Sequence, residues 1–349
     1  MFIKLKKKIK KKKIKKLLDE NWAKSFLNSR IKKYFPGAKK IIRFKIIILR
    51  NFLGKFRNIT ACYDLIIEFN NGVKKNKNLL VKVNTINLGP YRWKEAARRL
   101  QRKGFKQMPR LLDYLPEFNA LFYEKAEGFS LQELLDKRQI GQIIRKIPQV
   151  SKLLCRLHGL KIKNFFIVKD KKEEKREYRH WLFLIRKCSP SFEEKFKKLY
   201  YSLINFKKKN KNIFLEEKNY ILTHGDFHLG NIISSSRGLK IVDFGDVNLY
   251  DPLEDVGAFL AQTESMLKYV LPQKYGQHYK KIEDLFLRCY FTIKALPEER
   301  KRIIFFKARS FLQMAAVFSF VVWPLQNKKR AIERALSFAQ REINKVILK

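Results

Sequence analysis

The sequence predicts an α+β fold in two lobes, a small antiparallel-sheet lobe followed by a larger, mainly helical one. Three observations predict it. Hydrophobic residues make up 46% of the 349 residues, an ordinary globular share that excludes wholesale disorder. Before residue 125 the apolar runs are short, rich in Ile, Leu, Val, Phe and Tyr, and separated by turn residues, as strands are. Beyond residue 128 apolar residues recur every three or four positions, as on one face of a helix. The length allows about two domains.

The stretch from Met1 to Leu18, with ten lysines in its first sixteen residues, interleaves them with Phe2, Leu5, Ile9, Ile14 and Leu17. Two readings stay open for it: a solvated, self-repelling tail, or a basic amphipathic helix on a membrane surface. Pro36-Gly37 then breaks the chain. Residues 1–40 are expected to be a basic extension, 41–127 the sheet-rich lobe and 128–349 the helical lobe. Strands are predicted over residues 41–49, 61–69 and 79–83, with turns at 54–58 and at Asn70-Asn71-Gly72. A helix follows over 92–103, then two short strands around Pro116 within 111–123. Ser130 is a suitable N-cap for a helix over 131–137. Ile140, Ile143, Ile144, Ile147, Val150, Leu154 and Leu157 share a helical face, with Pro148 expected to kink or break it. One β interlude interrupts the helices, over 220–223, 231–233 and 239–244, with a turn at 234–238.

Charge narrows the classes of partner. Lys and Arg number 78 against 32 Asp and Glu, a net charge of +46. Removing the ten lysines of the first sixteen residues still leaves +36. Such a surface attracts nucleic acid, anionic lipid or phosphorylated molecules without naming which. Lys, Ile, Phe and Asn are abundant together, as AT-rich coding would give, so part of this charge is compositional. Cys62, Cys155, Cys188 and Cys289 lie far apart, which argues against a disulfide framework or a cysteine zinc site and fits a reducing cytoplasm. No apolar run reaches the roughly 18 residues that span a bilayer. The nearest, 314–325, is interrupted by Ser319 and Pro324, and the N-terminus lacks the apolar core of a signal peptide.

The chemistry sits in the β interlude. It reads His224-Gly225-Asp226-Phe227-His228-Leu229-Gly230-Asn231, then Ile241-Val242-Asp243-Phe244-Gly245-Asp246. A hairpin brings its ends together, so Asn231 and Asp243 would converge on one site. Phosphoryl transfer needs a carboxylate to orient or accept the hydroxyl proton and hard oxygen ligands to hold Mg²⁺ on the phosphates. His224, Asp226 and His228 alternate as in a transition-metal site, but the Asn231 and Asp243 partners explain Asp226 better.

The paired motif resembles the HxD…N and DFG signature of the protein-kinase-like superfamily, and its HGDxHxGN form resembles the aminoglycoside phosphotransferase-like family of small-molecule kinases. The resemblance covers roughly residues 41–325 and implies a bilobal protein-kinase-like fold using ATP and Mg²⁺. It makes Asp226 the catalytic base and Asn231 and Asp243 the metal ligands. Lys82, within Leu79-Leu80-Val81-Lys82-Val83, would contact the α/β-phosphates and pair with Glu95. Lys45 lies in a similar run, but the order strand, Lys, helix, Glu favours Lys82; a solvent-facing role is the rival reading for Glu95. Residues 124–127, including Glu124 and Ala126, match the linker whose backbone would meet adenine. The turn ending at Asn58 sits where a phosphate-covering loop belongs; it lacks GxGxxG, and a plain hairpin turn explains it equally well. His158 and His224 read as packed structural histidines, His224 hydrogen-bonding backbone near Asp243, and Asp255 as a brace for the catalytic loop.

Protein kinases carry Arg before the catalytic Asp, and here that position is Gly225, so control by loop phosphorylation is not expected. Residues 241–265 contain six acids and no Lys or Arg, which suggests an amine-bearing acceptor held by Asp246 and Glu264. The function expected is transfer of the ATP γ-phosphoryl group to a small-molecule hydroxyl, on an aminoglycoside, sugar, choline-like or amino alcohol. The alternatives are a membrane-surface or cell-envelope kinase anchored by its basic tail, on the inner membrane surface, and an inactive kinase-like protein binding RNA.

Overall fold

Alternating burial along one strand organises the first part of the molecule. In a computed structural model of the chain, which describes residues 14–51, 58–84, 88–162, 165, 168–291, 294–320 and 325–347, contacts divide the chain into two units. Met1–Gly128 and Lys240–Asp246 form the first, Phe129–Leu239 and Val247–Lys349 the second.

In the first unit β1 (Ala38–Asn51), β2 (Asn58–Phe69), β3 (Lys74–Asn84), β4 (Leu111–Leu115) and β5 (Ala120–Glu124) build an antiparallel sheet in the order β1-β2-β3-β5-β4. Along β2, Ile59, Ala61, Tyr63, Leu65 and Ile67 are buried while Thr60, Asp64, Ile66 and Glu68 are only partly so, the period-two pattern of a sheet covered on one face. Gly72, at φ +76°, turns β2 into β3 with a backbone that side chains disfavour. The cover is α1 (Glu20–Asn28), N-capped by Asp19 accepting from the Trp22 N–H at 2.8 Å, and α2 (Ile31–Tyr34). Trp22 stacks on Phe26 at 5.1 Å, and Phe26 meets Phe122 of β5 at 5.4 Å.

The boundary expected at residue 40 is therefore not found. Ile14, Leu17, Leu27, Ile31 and Tyr34 belong to the same core as Tyr63, Val81 and Phe122, and the Tyr63 hydroxyl donates to the Leu17 carbonyl at 2.5 Å. Ile14 and Leu17, two side chains of the expected lipid-facing stripe, are instead 0% and 1% exposed. Residues 1–13 and most of the turn at 54–58 lie outside the described residues. Across the sheet, α3 (Gly89–Arg102) buries Trp93, Ala96, Ala97 and Leu100.

The second unit begins with β6 (Phe129–Ser130) and α4 (Leu131–Asp136). Ser130 caps α4 in a reciprocal box: its Oγ accepts from the Glu133 N–H at 3.1 Å, and Glu133 Oε2 accepts the Ser130 N–H at 2.6 Å. The helices that follow are α5 (Ile140–Gly159), α6 (Lys171–Cys188) and α7 (Glu193–Lys209). Pro148 does not break α5, which runs through it with Ile143, Ile147, Val150 and Leu154 buried; packing of that face outweighs one lost backbone hydrogen bond. β7 (Ile221–Thr223) precedes β8 (Ile232–Ser235), which pairs with β6; β9 (Gly238–Ile241) follows, its last two residues counted with the first unit, and β10 (Asn248–Tyr250) pairs with β7.

Four helices complete the unit: α8 (Leu253–Val270), α9 (Tyr275–Tyr290), α10 (Pro297–Phe320) and α11 (Leu325–Ile347). α8 and α10 approach closely at Gly257, where a Cβ would lie 2.6 Å from that of Phe306. By length and composition α10 could cross a membrane, yet 67% of its apolar window is buried. It also carries Arg302, Lys307 and Arg309 into salt bridges with Asp251, Glu264 and Glu254, as a core helix does.

Candidate active site

In the second unit β7 delivers the motif. His224 follows the strand fully buried, its Nδ1 accepting the Asp226 N–H at 3.3 Å. Gly225 stands at φ +79°, a left-handed turn that a Cβ would strain. That turn leaves the Asp226 carboxylate partly open, its side chain 36% exposed, while Phe227 on the other side is buried. Asn231 Nδ2 donates to the Asp226 carbonyl at 2.9 Å and to its carboxylate at 3.2 Å, leaving Asn231 Oδ1 uncommitted to Asp226. His228 Nδ1 accepts the Gly230 N–H at 3.0 Å, and a Cβ on Gly230 would lie 2.8 Å from His228 Cε1. Both Nδ1 atoms thus accept backbone N–H groups of the loop, and His228 Nε2 also lies 3.4 Å from Asp226 Oδ2.

The loop is braced from α8. Asp255, 0% exposed, accepts the His224 N–H at 2.7 Å, the Gly225 N–H at 2.9 Å and His158 Nε2 of α5 at 3.0 Å. Burial alone would raise its carboxyl; the hydrogen bond from His158 and the His224 N–H outweigh burial and hold it below the ordinary carboxylate range. A buried anion with three donors is a rigid anchor.

In the first unit Lys82 of β3, opposite Thr60 on β2 and Leu121 on β5, places Nζ 2.5 Å from both carboxylate oxygens of Asp243. Asp243 itself is left-handed at φ +65°, a backbone cost tolerated where function fixes a side chain. Gly245 donates its N–H to Asp243 Oδ1 at 3.4 Å, and a Cβ there would lie 3.1 Å from that oxygen. The segment is tied down by the Ile241 N–H bonding the Gln107 carbonyl at 2.9 Å and by Phe244, buried against Trp93 at 6.3 Å. Asp243 thus belongs to the first unit, although its place in the sequence had put it in the helical lobe.

Several expected roles change. Glu95 does not pair with Lys82; it binds Arg98 at 2.8 Å and Lys94 at 3.4 Å, because Asp243 already satisfies the Lys82 ammonium with two oxygens. Glu264 is no acceptor ligand: it is 2% exposed, grips Arg341 through two 2.7 Å bonds and meets Lys307 at 3.1 Å. The acid-rich stretch is spent in the same way, since Asp251 pairs with Arg302, Glu254 with Lys169 and Arg309, and Asp255 with the loop. Of the two proposed acceptor ligands only Asp246 is exposed, so the charge argument for an amine acceptor falls. Glu124 pairs its side chain with Arg110 at 2.9 Å, Ala126 is buried, and Asn58 begins β2 with its Oδ1 buried and without a hydrogen-bond partner among the described residues. The sequence reading missed Trp93, the aromatic support of the Lys82 region, and Arg341; only the apolar spacing of α3 signalled the first.

Chemically, the second unit offers a half-buried, oriented carboxylate that can accept a hydroxyl proton. The Asn231 Oδ1 and the Asp243 carboxylate are hard oxygen donors, fit for Mg²⁺ or Ca²⁺ and poor for a thiophilic metal.

Comparison with known proteins bears on family and fold. A family model described as "Phosphotransferase enzyme family" matches residues 90–283, more than half of the chain. No curated protein sequence matches the chain. Among solved structures, a choline kinase from Cryptosporidium parvum Iowa II is similar with a TM-score of 0.61 at 14% identity, covering 93% of this chain and 96% of that one. An amicoumacin kinase in complex with AMP-PNP and Ca²⁺ gives 0.61 at 15% identity over 96% of both chains. A Plasmodium vivax ethanolamine kinase gives 0.58 at 12% identity over 96% and 95%. At these identities the likeness is one of fold: α+β and protein-kinase-like, with a five-stranded antiparallel sheet in the N-terminal part and a mainly helical remainder.

Proposed function

The chain belongs to the phosphotransferase enzyme family, and on that premise we propose that it moves the γ-phosphoryl group of ATP to the hydroxyl of a small molecule. The observation that carries this reading is the Asp226 carboxylate, half-buried after the φ +79° turn at Gly225 and held by Asn231. Asp226 orients the acceptor hydroxyl and takes its proton as the new P–O bond forms and the bond to the β-phosphate oxygen breaks, giving ADP and a phosphate monoester. Lys82 binds the α/β-phosphates. Asn231 Oδ1 and Asp243 are the residues that would hold a divalent cation, for which Mg²⁺ is the reading. When bound, that ion supplies charge neutralisation on the phosphates. Neutral polyols are the acceptors to screen first, because the acids near the motif are mostly engaged in internal ion pairs.

Thermal unfolding of the wild type and Asp243→Ala, with and without Mg·ATP, tests the premise. At a hundredfold excess over Kd, binding stabilises by about 2.7 kcal/mol, roughly 5 °C or more. A shift confined to the wild type supports a metal-dependent nucleotide site. Asp226→Ala should then abolish transfer while keeping the ATP-induced shift; no shift in either folded protein overturns the reading.

A further inference from the structure

We propose that Tyr290 is a positioning residue for the phosphoryl transfer, its hydroxyl fixing the tautomer of His158 and, through Asp255, the loop that presents Asp226. The inference rests on the transferase reading only for its kinetic consequence. Its geometry lies wholly in the second unit. A carboxylate can only accept, so His158 Nε2, 3.0 Å from Asp255 Oδ2, must carry its hydrogen. In the neutral ring Nδ1 then holds the lone pair, and the Tyr290 hydroxyl at 2.7 Å is the donor that satisfies it. His158 is 6% exposed, so losing that donor strands a buried acceptor. The ring can escape by moving its proton to Nδ1, which turns a lone pair towards Asp255, or by binding a second proton. Either change alters the one side-chain donor among the three groups Asp255 accepts, the others being the His224 and Gly225 N–H groups.

A second connection runs beside the first. Tyr290 stacks on Phe286 at 6.3 Å, Phe286 on Phe259 at 4.4 Å, and Phe259 meets Phe227 of the loop at 5.6 Å. Tyr290→Phe keeps this aromatic column and removes only the hydroxyl, so it separates tautomer control from packing.

The experiment uses the full chain with ¹⁵N-labelled histidine; there are five, and His158 is assigned by its loss in His158→Gln. The wild type should show His158 as the neutral Nε2–H tautomer. In Tyr290→Phe the ring nitrogens should shift towards a mixed or doubly protonated state, and the Gly225 amide proton should move upfield as its bond to Asp255 loosens. Mg·ATP-dependent ADP release, with water as acceptor, should fall about tenfold in kcat, the scale set by outer hydrogen-bond partners of a reactive group. KM for ATP should stay within twofold, and Tyr290→Phe should add no further loss in a His158→Gln background. An Nδ1–H tautomer in the wild type overturns the proposal, whether or not the variant folds. So do unchanged ¹⁵N shifts in Tyr290→Phe, or a lowered Tm with unchanged kcat. If the wild type neither hydrolyses ATP nor transfers phosphate, the transferase reading fails, while the nitrogen shifts still decide the tautomer.

Discussion

Replacing Asp255 by Asn keeps its shape and removes its charge, and the structure shows what that should cost. Oδ2 accepts two donors, His224 N–H and His158 Nε2, and Oδ1 accepts the Gly225 N–H. An Asn side chain can point its oxygen at the pair and its amide at Gly225, or the reverse; the first arrangement preserves more. It still sets an NH₂ against the partly buried Gly225 N–H and exchanges a charged acceptor for a neutral one, a loss of about 3 kcal/mol. For a unit the size of Phe129–Leu239 plus Val247–Lys349, that is a fall in Tm of about 6–10 °C. The assay is thermal unfolding at a series of pH values. Because the folded carboxyl titrates below its usual 3.8, its contribution is fully present above that value and disappears as pH falls through the lower folded value. The wild-type advantage should therefore be constant from pH 7 to pH 5 and shrink only in strong acid. A shift under 2 °C at pH 7, or an advantage that already fades at pH 5–6, would refute the assignment of Asp255 as the charged brace of the loop.

Gly225→Ala forces a Cβ into the left-handed region at φ +79°, costing about 1–2 kcal/mol; thermal unfolding should show a lower midpoint, and an unchanged one contradicts the turn described. Glu264→Gln should lower the urea midpoint, since breaking a buried ion pair costs about 3 kcal/mol, and should leave the KM of any acceptor unaltered; the opposite pattern would restore Glu264 to the acceptor site. Ser130→Ala removes one half of the capping box and should destabilise by about 1 kcal/mol, read as a small shift in the urea midpoint without change in the ADP release rate.

Where the physics is local, the sequence was readable. Asp226 and Asn231 lie five residues apart in one motif, and the structure joins their side chains by a 3.2 Å bond. The β-hairpins announced themselves through short apolar, β-rich runs and Asn-Gly turn chemistry, and the Ser130 cap through a serine just before a helical run. What failed depended on distant partners. Nothing near Glu264 signals Arg341, 77 residues away, so a neutralised interior acid looked like a free one. Lys82 chose Asp243 over Glu95 across 161 residues of sequence. Ile14 and Leu17 were hidden among lysines, whose long stems let a basic segment lie on a core while keeping its charges in water.

The division of the chain also has a consequence for biosynthesis. The sheet-bearing unit is interrupted: Lys240–Asp246, which carries the carboxylate that meets Lys82 and the Ile241 N–H bound to Gln107, is separated from Gly128 by more than a hundred residues. At a synthesis rate of about 5–20 residues per second, the nascent unit waits roughly 6–24 s between emergence of its sheet and arrival of its last piece. Throughout that interval the Lys82 ammonium has no Asp243 to meet and Trp93 has no Phe244 against it. A fragment ending at Gly128 would be arrested permanently at that stage, so a gene cut at this apparent domain boundary should yield a sheet without its closing segment.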